Sequence, residues 1–377
     1  MKYYVIAGEA SGDLHGSNLL KELKKLDATA NFRCWGGDKM EAQGATIVKH
    51  YRELSFMGFA EVVANISTIL NQLKFCKQDI LQYHPDVIIL IDYPGFNLRI
   101  AKWAKLKGFK VIFYISPQLW AWKKGRVKII KKYVDKMLVI LPFEKAFYKN
   151  LNFDADYVGH PLVKVIEDFK KDYTKNKDTE FEGTDQEDAK PIIALLPGSR
   201  AMEIKIKLPV MLQMTTEFPA YRFVIAKAPA IADEFYETIL HNYANVGTVS
   251  GQTYSLLIQA KAALVTSGTA TLETALFNVP QVVCYKGSAV SYQVAKRLVK
   301  IKFISLVNLI MNREVVKELI QDEFNAENLK RELHEILTNI NRLEQIKKNY
   351  ADLKNLLSEG GNASENAAKI ITAFLAH

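Results

Sequence analysis

Short apolar runs rich in β-branched residues recur at Val5–Ala7, Val87–Ile91, Val111–Tyr114, Met137–Leu141, Ile192–Leu196, Phe223–Ala226 and Ala262–Thr266. An unbroken apolar run has no polar face, so each reads as a strand buried on both sides. Segments of helical period lie between the runs, among them Ser17–Leu26 and Leu98–Lys107. Strands alternating with helices build parallel sheets covered by helices. A chain of 377 residues also exceeds what one hydrophobic core usually organises. The clearest break is Asp168–Lys190, dominated by Lys, Asp, Glu, Thr and Gly. After it the same grammar restarts. Ile192–Leu196 runs into Pro197-Gly198-Ser199-Arg200, much as Tyr3–Ala7 runs into Gly8-Glu9-Ala10-Ser11-Gly12-Asp13. The expected fold is α/β: two doubly wound Rossmann-like domains facing a cleft, with ligands beyond the carboxyl ends of the strands. The expected division is 1–170, a charged linker or loop at 171–190, 191–345, and a helical segment at 346–377 interrupted at Gly360-Gly361.

Apolar residues make up 49% of the chain and charged residues 24%, as in ordinary soluble proteins. The formal net charge of +9 favours an anionic partner: a phosphorylated substrate, an acidic membrane surface or nucleic acid. Cys34, Cys76 and Cys284 are far apart, which suits reduced cytosolic thiols better than a disulfide framework. The N-terminus enters a strand directly, with no signal-peptide pattern. Runs such as Val87–Ile91 are far too short to span a bilayer, so membrane contact is expected only at the surface.

In the first half, Gly8–Gly16 places glycines between a strand and a helix, an arrangement that presents free backbone N–H groups. It is neither the dinucleotide fingerprint nor a P-loop. It reads as a plain βα turn or as a substrate-facing loop whose candidates are Glu9, Ser11, Gly12 and Asp13. Asp92 ends the most apolar strand and precedes Tyr93-Pro94-Gly95-Phe96-Asn97. A carboxylate there can take a proton from a sugar hydroxyl, or can cap the next helix. Asn97 joins the substrate-side candidates.

In the second half, Ser199 and Arg200 follow a strand and a glycine turn, where a guanidinium suits phosphate. Ser267, Gly268, Thr269, Thr271 and Glu273 follow another strand and open a helix, whose N-terminus favours a diphosphate. Glu273, one turn in, is placed for ribose hydroxyls. Together these motifs predict a nucleotide-diphosphate site. Trp120 and Trp122 precede Lys123, Lys124, Arg126, Lys128, Lys131 and Lys132. This basic aromatic segment suits a sugar, a lipid phosphate or an anionic interface, or is a solvated helix face. No metal is expected: no histidine pair has ligand spacing, and Asp154-Ala155-Asp156 sits in a short turn. Phe59, Val62, Val63, Ile66, Ile69, Leu70 and Leu73 recur at helical spacing, with Lys74 and Lys77 beyond. The stripe reads either as a helix buried on the first sheet or as a surface facing a bilayer.

Gly-Glu-Ala-Ser-Gly-Asp at 8–13, Ile-Asp-Tyr-Pro-Gly-Phe-Asn at 91–97, Ser-Pro-Gln-Leu-Trp-Ala-Trp at 116–122 and Gly-His-Pro-Leu at 159–162 resemble lipid-A-disaccharide synthase. So do Leu-Pro-Gly-Ser-Arg at 196–200, Ser-Gly-Thr-Ala-Thr-Leu-Glu at 267–273, Ala-Lys-Arg-Leu-Val-Lys at 295–300, Ser-Leu-Val-Asn-Leu-Ile at 305–310 and Asn-Ala-Ser-Glu-Asn-Ala-Ala at 362–368. The blocks come in family order over nearly the whole chain. The resemblance implies a GT-B transferase that moves 2,3-diacylglucosamine from UDP to 2,3-diacylglucosamine 1-phosphate. The product is the β-1,6 disaccharide 1-phosphate of the Gram-negative envelope. It further implies a metal-independent enzyme with no cofactor, cytoplasmic and peripheral to the inner membrane. The C-terminal segment would pack back on the first domain or be exchanged in a homodimer. The family's proposed base matches Asp92, its first-loop glutamate Glu9 and its diphosphate-binding arginine Arg200. The chain departs from many relatives in having Gly95 where they carry a second acid.

An α-linked donor and a β-linked product imply inversion, with Asp92 activating the acceptor's 6-hydroxyl and Glu9 in reserve. Arg200 and the helix from Ser267 would stabilise the leaving UDP. Ser11, Gly12, Asp13, Asn97 and Trp122 would line the acceptor side. A rival reading is an isomerase like UDP-N-acetylglucosamine 2-epimerase, which shares the architecture. A basic nucleic-acid-binding protein is a further rival, but no nucleic-acid motif supports it.

Overall fold

The computed structural model describes residues 1–54, 66–119, 126–175, 190–243, 245–287 and 302–376. Phe59, Val62, Val63, Trp122, the block 295–300 and most of 171–190 lie outside the described residues, as does the side chain of Ile66.

Contacts divide the chain into two units, Met1–Pro161 with Leu357–His377, and Leu162–Leu356. The first holds a seven-stranded sheet in the order β3-β2-β1-β4-β5-β6-β7. Its strands are β1 Lys2–Ala7, β2 Asn31–Gly36, β3 Thr46–His50, β4 Val87–Ile91, β5 Lys110–Tyr114, β6 Lys136–Val139 and β7 Asp156–Tyr157. Every pairing is parallel. All five residues of β4 are buried, as its unbroken apolar run requires. Successive residues alternate between two cores. Tyr4, Ile6, Ile88, Leu90, Val111 and Phe113 enter one. Tyr3, Val5, Ala7, Val87, Ile89, Ile91, Ile112 and Tyr114 enter the other. Strand geometry sends alternate side chains to opposite faces, so each face carries its own helical layer.

The second core is completed from the far end of the chain. Ala363, Ala367, Ala368 and Ile371 of helix Ala363–Leu375 pack with Leu19, Leu20 and Leu23 of helix Ala10–Leu26. Entry to that helix is tight, because a Cβ on Gly159 would lie 2.6 Å from the Gly361 carbonyl oxygen. Gly159 also has φ 93, so two independent constraints exclude a side chain there.

The second unit holds a six-stranded parallel sheet, β10-β9-β8-β11-β12-β13. Its strands are β8 Ile192–Leu196, β9 Arg222–Lys227, β10 Val246–Ser250, β11 Ala260–Thr266, β12 Gln281–Tyr285 and β13 Lys317–Ile320. The boundary falls earlier than the composition break near residue 170, because helix Pro161–Lys175 packs with this unit. Phe169 lies against Tyr254 and Phe277, with centroids 5.4 and 6.1 Å away. Lys170 donates to the Leu276 carbonyl at 2.7 Å. No helix among the described residues is long and apolar enough to cross a membrane.

Helix Ile66–Tyr83 divides the predicted apolar stripe. Leu73, Cys76 and Ile80 are buried, and Ile69 packs against the same core. Leu70 is 58% exposed, and Phe75 and Leu81 also face solvent.

Candidate active site

Each sheet reverses its winding once, between β1 and β4 in the first unit and between β8 and β11 in the second. The crevice outside such a reversal is where doubly wound sheets bind ligands. The motifs at 8–13, 91–97, 196–200 and 267–273 fall at these two points.

In the first unit Ala7 pairs with Ile91, so the loops leaving β1 and β4 start side by side. Glu9 occupies the N-cap of helix Ala10–Leu26 in extended conformation, makes no side-chain cap and is exposed together with Ser11. After β4 the backbone turns sharply. Asp92 and Tyr93 have φ of 44° and 46°, consecutive left-handed conformations in non-glycine residues. Such conformations cost about 1–3 kcal/mol each and persist only where the surroundings impose them. Burial, and then the like charge of Glu9, push the Asp92 carboxyl up to about 7, against the opposing pull of the Tyr93 N–H. A carboxyl that titrates near neutrality is suited to general-base chemistry.

Other predicted residues turn inward. Asn97 is fully buried, and its Nδ2 donates to the carbonyls of Ile6, Ile91 and Asp92 at 3.4, 3.2 and 2.8 Å. Its amide nitrogen clamps the ends of β1 and β4. Asp13 is 2% exposed and accepts the N–H groups of Gly37, Lys39 and Met40 at 2.8, 3.1 and 3.1 Å. Its carboxylate thereby caps the short helix Asp38–Glu41. Gly12 packs on Ala7, where a Cβ would lie 3.0 Å from the alanine methyl. His15 and His160 are buried and neutral. Burial lowers His15 to about 4 and His160 to about 3, the latter helped by the nearness of His15.

In the second unit Ser199 and Arg200 are exposed, and Arg200 is the N-cap of helix Ala201–Leu212. Gly198 takes φ 121 to make the preceding turn. Gly268 and Thr269 are exposed at the start of helix Thr269–Leu276, and nothing lies within 4 Å of a Cβ placed on Gly268. Backbone N–H groups at that start are therefore approachable by an anion. Ser267 donates to the Ile304 carbonyl at 2.9 Å, tying this turn to the Ser305–Ile310 block. Thr271 is fully buried with its hydroxyl on the Gly268 carbonyl at 2.8 Å, so it shapes the turn.

Two features escaped sequence reasoning. Tyr254 donates its hydroxyl to Glu273 Oε1 at 2.9 Å. Burial raises the Glu273 carboxyl, and this hydrogen bond pulls it back down. Glu318 accepts from the Ile304 and Ser305 N–H groups at 2.9 Å each and from the Ser305 hydroxyl at 2.7 Å. It thereby fixes the segment that anchors Ser267. Neither partner lies near its acid in sequence, so no local pattern announces them. Among the described residues no cluster of three or more His, Cys, Asp or Glu is arranged to hold a metal ion.

The whole chain has close counterparts. The profile of the Lipid-A-disaccharide synthetase family matches residues 3–373. The chain is 36% identical over 377 residues to the lipid-A-disaccharide synthase of Koribacter versatilis, covering 98% of this chain and 96% of that one. Identity to the synthase of Geobacter metallireducens is 37% over 376 residues, with 98% and 96% covered. Among solved structures, the UDP-GlcNAc 2-epimerase from Neisseria meningitidis shares the fold with a TM-score of 0.66 at 14% identity, covering 100% of both chains. The glycotransferase of kitacinnamycin does so with a TM-score of 0.61 at 12% identity, covering 99% of this chain and 98% of its own. The fold is that of GT-B glycosyltransferases, and by these full-length matches the chain belongs to the lipid-A-disaccharide synthetase family, glycosyltransferases of lipid A biosynthesis.

Proposed function

We propose that the enzyme transfers 2,3-diacylglucosamine from its UDP derivative to the 6-hydroxyl of 2,3-diacylglucosamine 1-phosphate, with inversion. The observation that carries the reading is Asp92: a strained strand-end carboxyl, raised toward neutrality beside Glu9. As the base, Asp92 takes the hydroxyl proton while the acceptor oxygen attacks the donor's anomeric carbon. The bond to the diphosphate breaks and UDP leaves with its electron pair. Arg200 and the N–H groups opening helix Thr269–Leu276 meet the growing negative charge. Glu273 receives the ribose hydroxyls. A guanidinium and a helix N-terminus supply the positive charge, so the reading invokes no metal.

The acyl chains stay in lipid, since exposing each methylene to water costs about 0.8 kcal/mol. The enzyme therefore works at a membrane surface, and the exposed Leu70, Phe75 and Leu81 suit that contact. The test is purified protein with UDP-diacylglucosamine, with and without the acylated monosaccharide phosphate, read by mass spectrometry. Disaccharide phosphate and UDP are expected only with both substrates. Conversion of a soluble UDP-sugar without acceptor would instead establish an epimerase.

A further inference from the structure

Helix Ala201–Leu212 carries a buried cation that the transfer chemistry does not use. Lys207 is 1% exposed. Its Nζ lies 3.9 Å from Glu203 Oε2, and Arg200 Nη1 lies 3.9 Å from Glu203 Oε1. Both separations exceed the roughly 2.7–3.2 Å of a hydrogen bond. The Tyr285 ring lies 5.7 Å from Nζ. Burying an ammonium is costly, and burial lowers its proton affinity here despite the pull of Glu203. One carboxylate thus stands between two cations, in a long ion pair with each. Glu203 also folds back onto the strand-end turn: a Cβ on Gly198 would lie 2.6 Å from Glu203 Oε2.

We propose that Glu203 is a resident counter-ion of this turn, and that Lys207 is the positioning residue that holds it off Arg200. The guanidinium is then left open to a diphosphate. The inference rests on the reading of Arg200 as the diphosphate-binding residue. Without Lys207, Glu203 has a single cation to pair with and closes on Arg200 in a direct charge-assisted contact. An incoming diphosphate must break that contact. The three side chains carry one net positive charge in the wild type, none in Lys207→Met, two in Glu203→Gln, and one again when both changes are combined.

Calorimetry with UDP on the full chain separates the alternatives. Arg200→Ala is the control. If it leaves UDP affinity unchanged, the diphosphate reading fails and takes the inference with it. Where Arg200→Ala weakens UDP, Lys207→Met is expected to weaken it about tenfold, and to raise KM for the donor with little change in kcat. Glu203→Gln is expected to bind UDP at least as tightly as wild type. The combined variant is expected to return to within about threefold of wild type. A merely structural lysine is not rescued by removing a neighbouring carboxylate. Unchanged UDP affinity in Lys207→Met, or no rescue in the combined variant, overturns the inference. Should Lys207→Met fail to fold, weaker UDP binding by Glu203→Gln alone overturns it.

Discussion

The ring of Tyr93 rests on the backbone of Gly8, so close that a Cβ at Gly8 would lie 2.4 Å from Tyr93 Cγ. Tyr93 is itself stacked on Phe96, with centroids 5.6 Å apart, so it has little room to retreat. The loop bearing Glu9 and the loop bearing Asp92 are thereby pressed together. Gly8→Ala is expected to displace the ring, costing about 1–3 kcal/mol of stability by denaturant unfolding. Turnover should fall by more than stability explains, and Tyr93→Ala should recover part of the stability. Wild-type turnover in Gly8→Ala would show that the two loops act independently.

The proposed base role of Asp92 makes the rate sensitive to pH. As the base it must be ionised, so turnover is expected to rise with pH through an ionisation near 7. Glu9→Gln removes the like charge and should move that inflection to lower pH. Asp92→Asn should cut turnover by about two to four powers of ten. The same shift acts on stability. The folded-state value of about 7 lies above the ordinary 3.8, so wild-type stability is lost as pH rises between them. The thermal midpoint of Asp92→Asn should therefore gain on wild type across that window and hold its gain above it. A constant difference at all pH values would contradict the shift.

Tyr254→Phe removes the hydroxyl that steadies the Glu273 carboxylate. UDP binding is expected to weaken roughly three- to tenfold, in the range of one ordinary hydrogen bond, because the hydroxyl acts through Glu273 and does not touch UDP itself. Repeating the titration with 2′,3′-dideoxy-UDP tests the route. The effect should vanish when the ribose hydroxyls are absent, and its persistence would place Tyr254 in a different role.

Helix Ile66–Tyr83 separates core from surface cleanly enough to test. Leu73→Ala is expected to cost about 2–5 kcal/mol, as a buried leucine does. Leu70→Ser with Phe75→Ser should leave the thermal midpoint near wild type and lower binding to anionic vesicles. Unchanged vesicle binding would show that these two side chains do not engage a membrane.

The strands and the placing of motifs at strand ends were legible because both are local. An unbroken apolar run such as Val87–Ile91 announces a doubly covered strand, and the residues just after it lie at its carboxyl end. The direction of polar side chains in the first helical turns was not legible. Asp13 reaches N–H groups 24 to 27 residues away, and Asn97 reaches the Ile6 carbonyl 91 residues away. From sequence such residues look the same whether they face a ligand or another loop. Glu203 and Lys207 carried no signal for a similar reason. An i, i+4 acid–base pair is usual on an exposed helix face, and only packing reveals that this lysine is buried.

The return of helix Ala363–Leu375 to the first unit also sets an order of events during synthesis. Ala363, Ala367, Ala368 and Ile371 emerge from the ribosome only after the whole of Leu162–Leu356. Chains usually fold N-terminal domain first. Here the second unit has all its residues while the apolar face of helix Ala10–Leu26 still awaits its partner. The nascent first unit must wait in that open state, where it is a natural client for chaperones and the stage most exposed to aggregation.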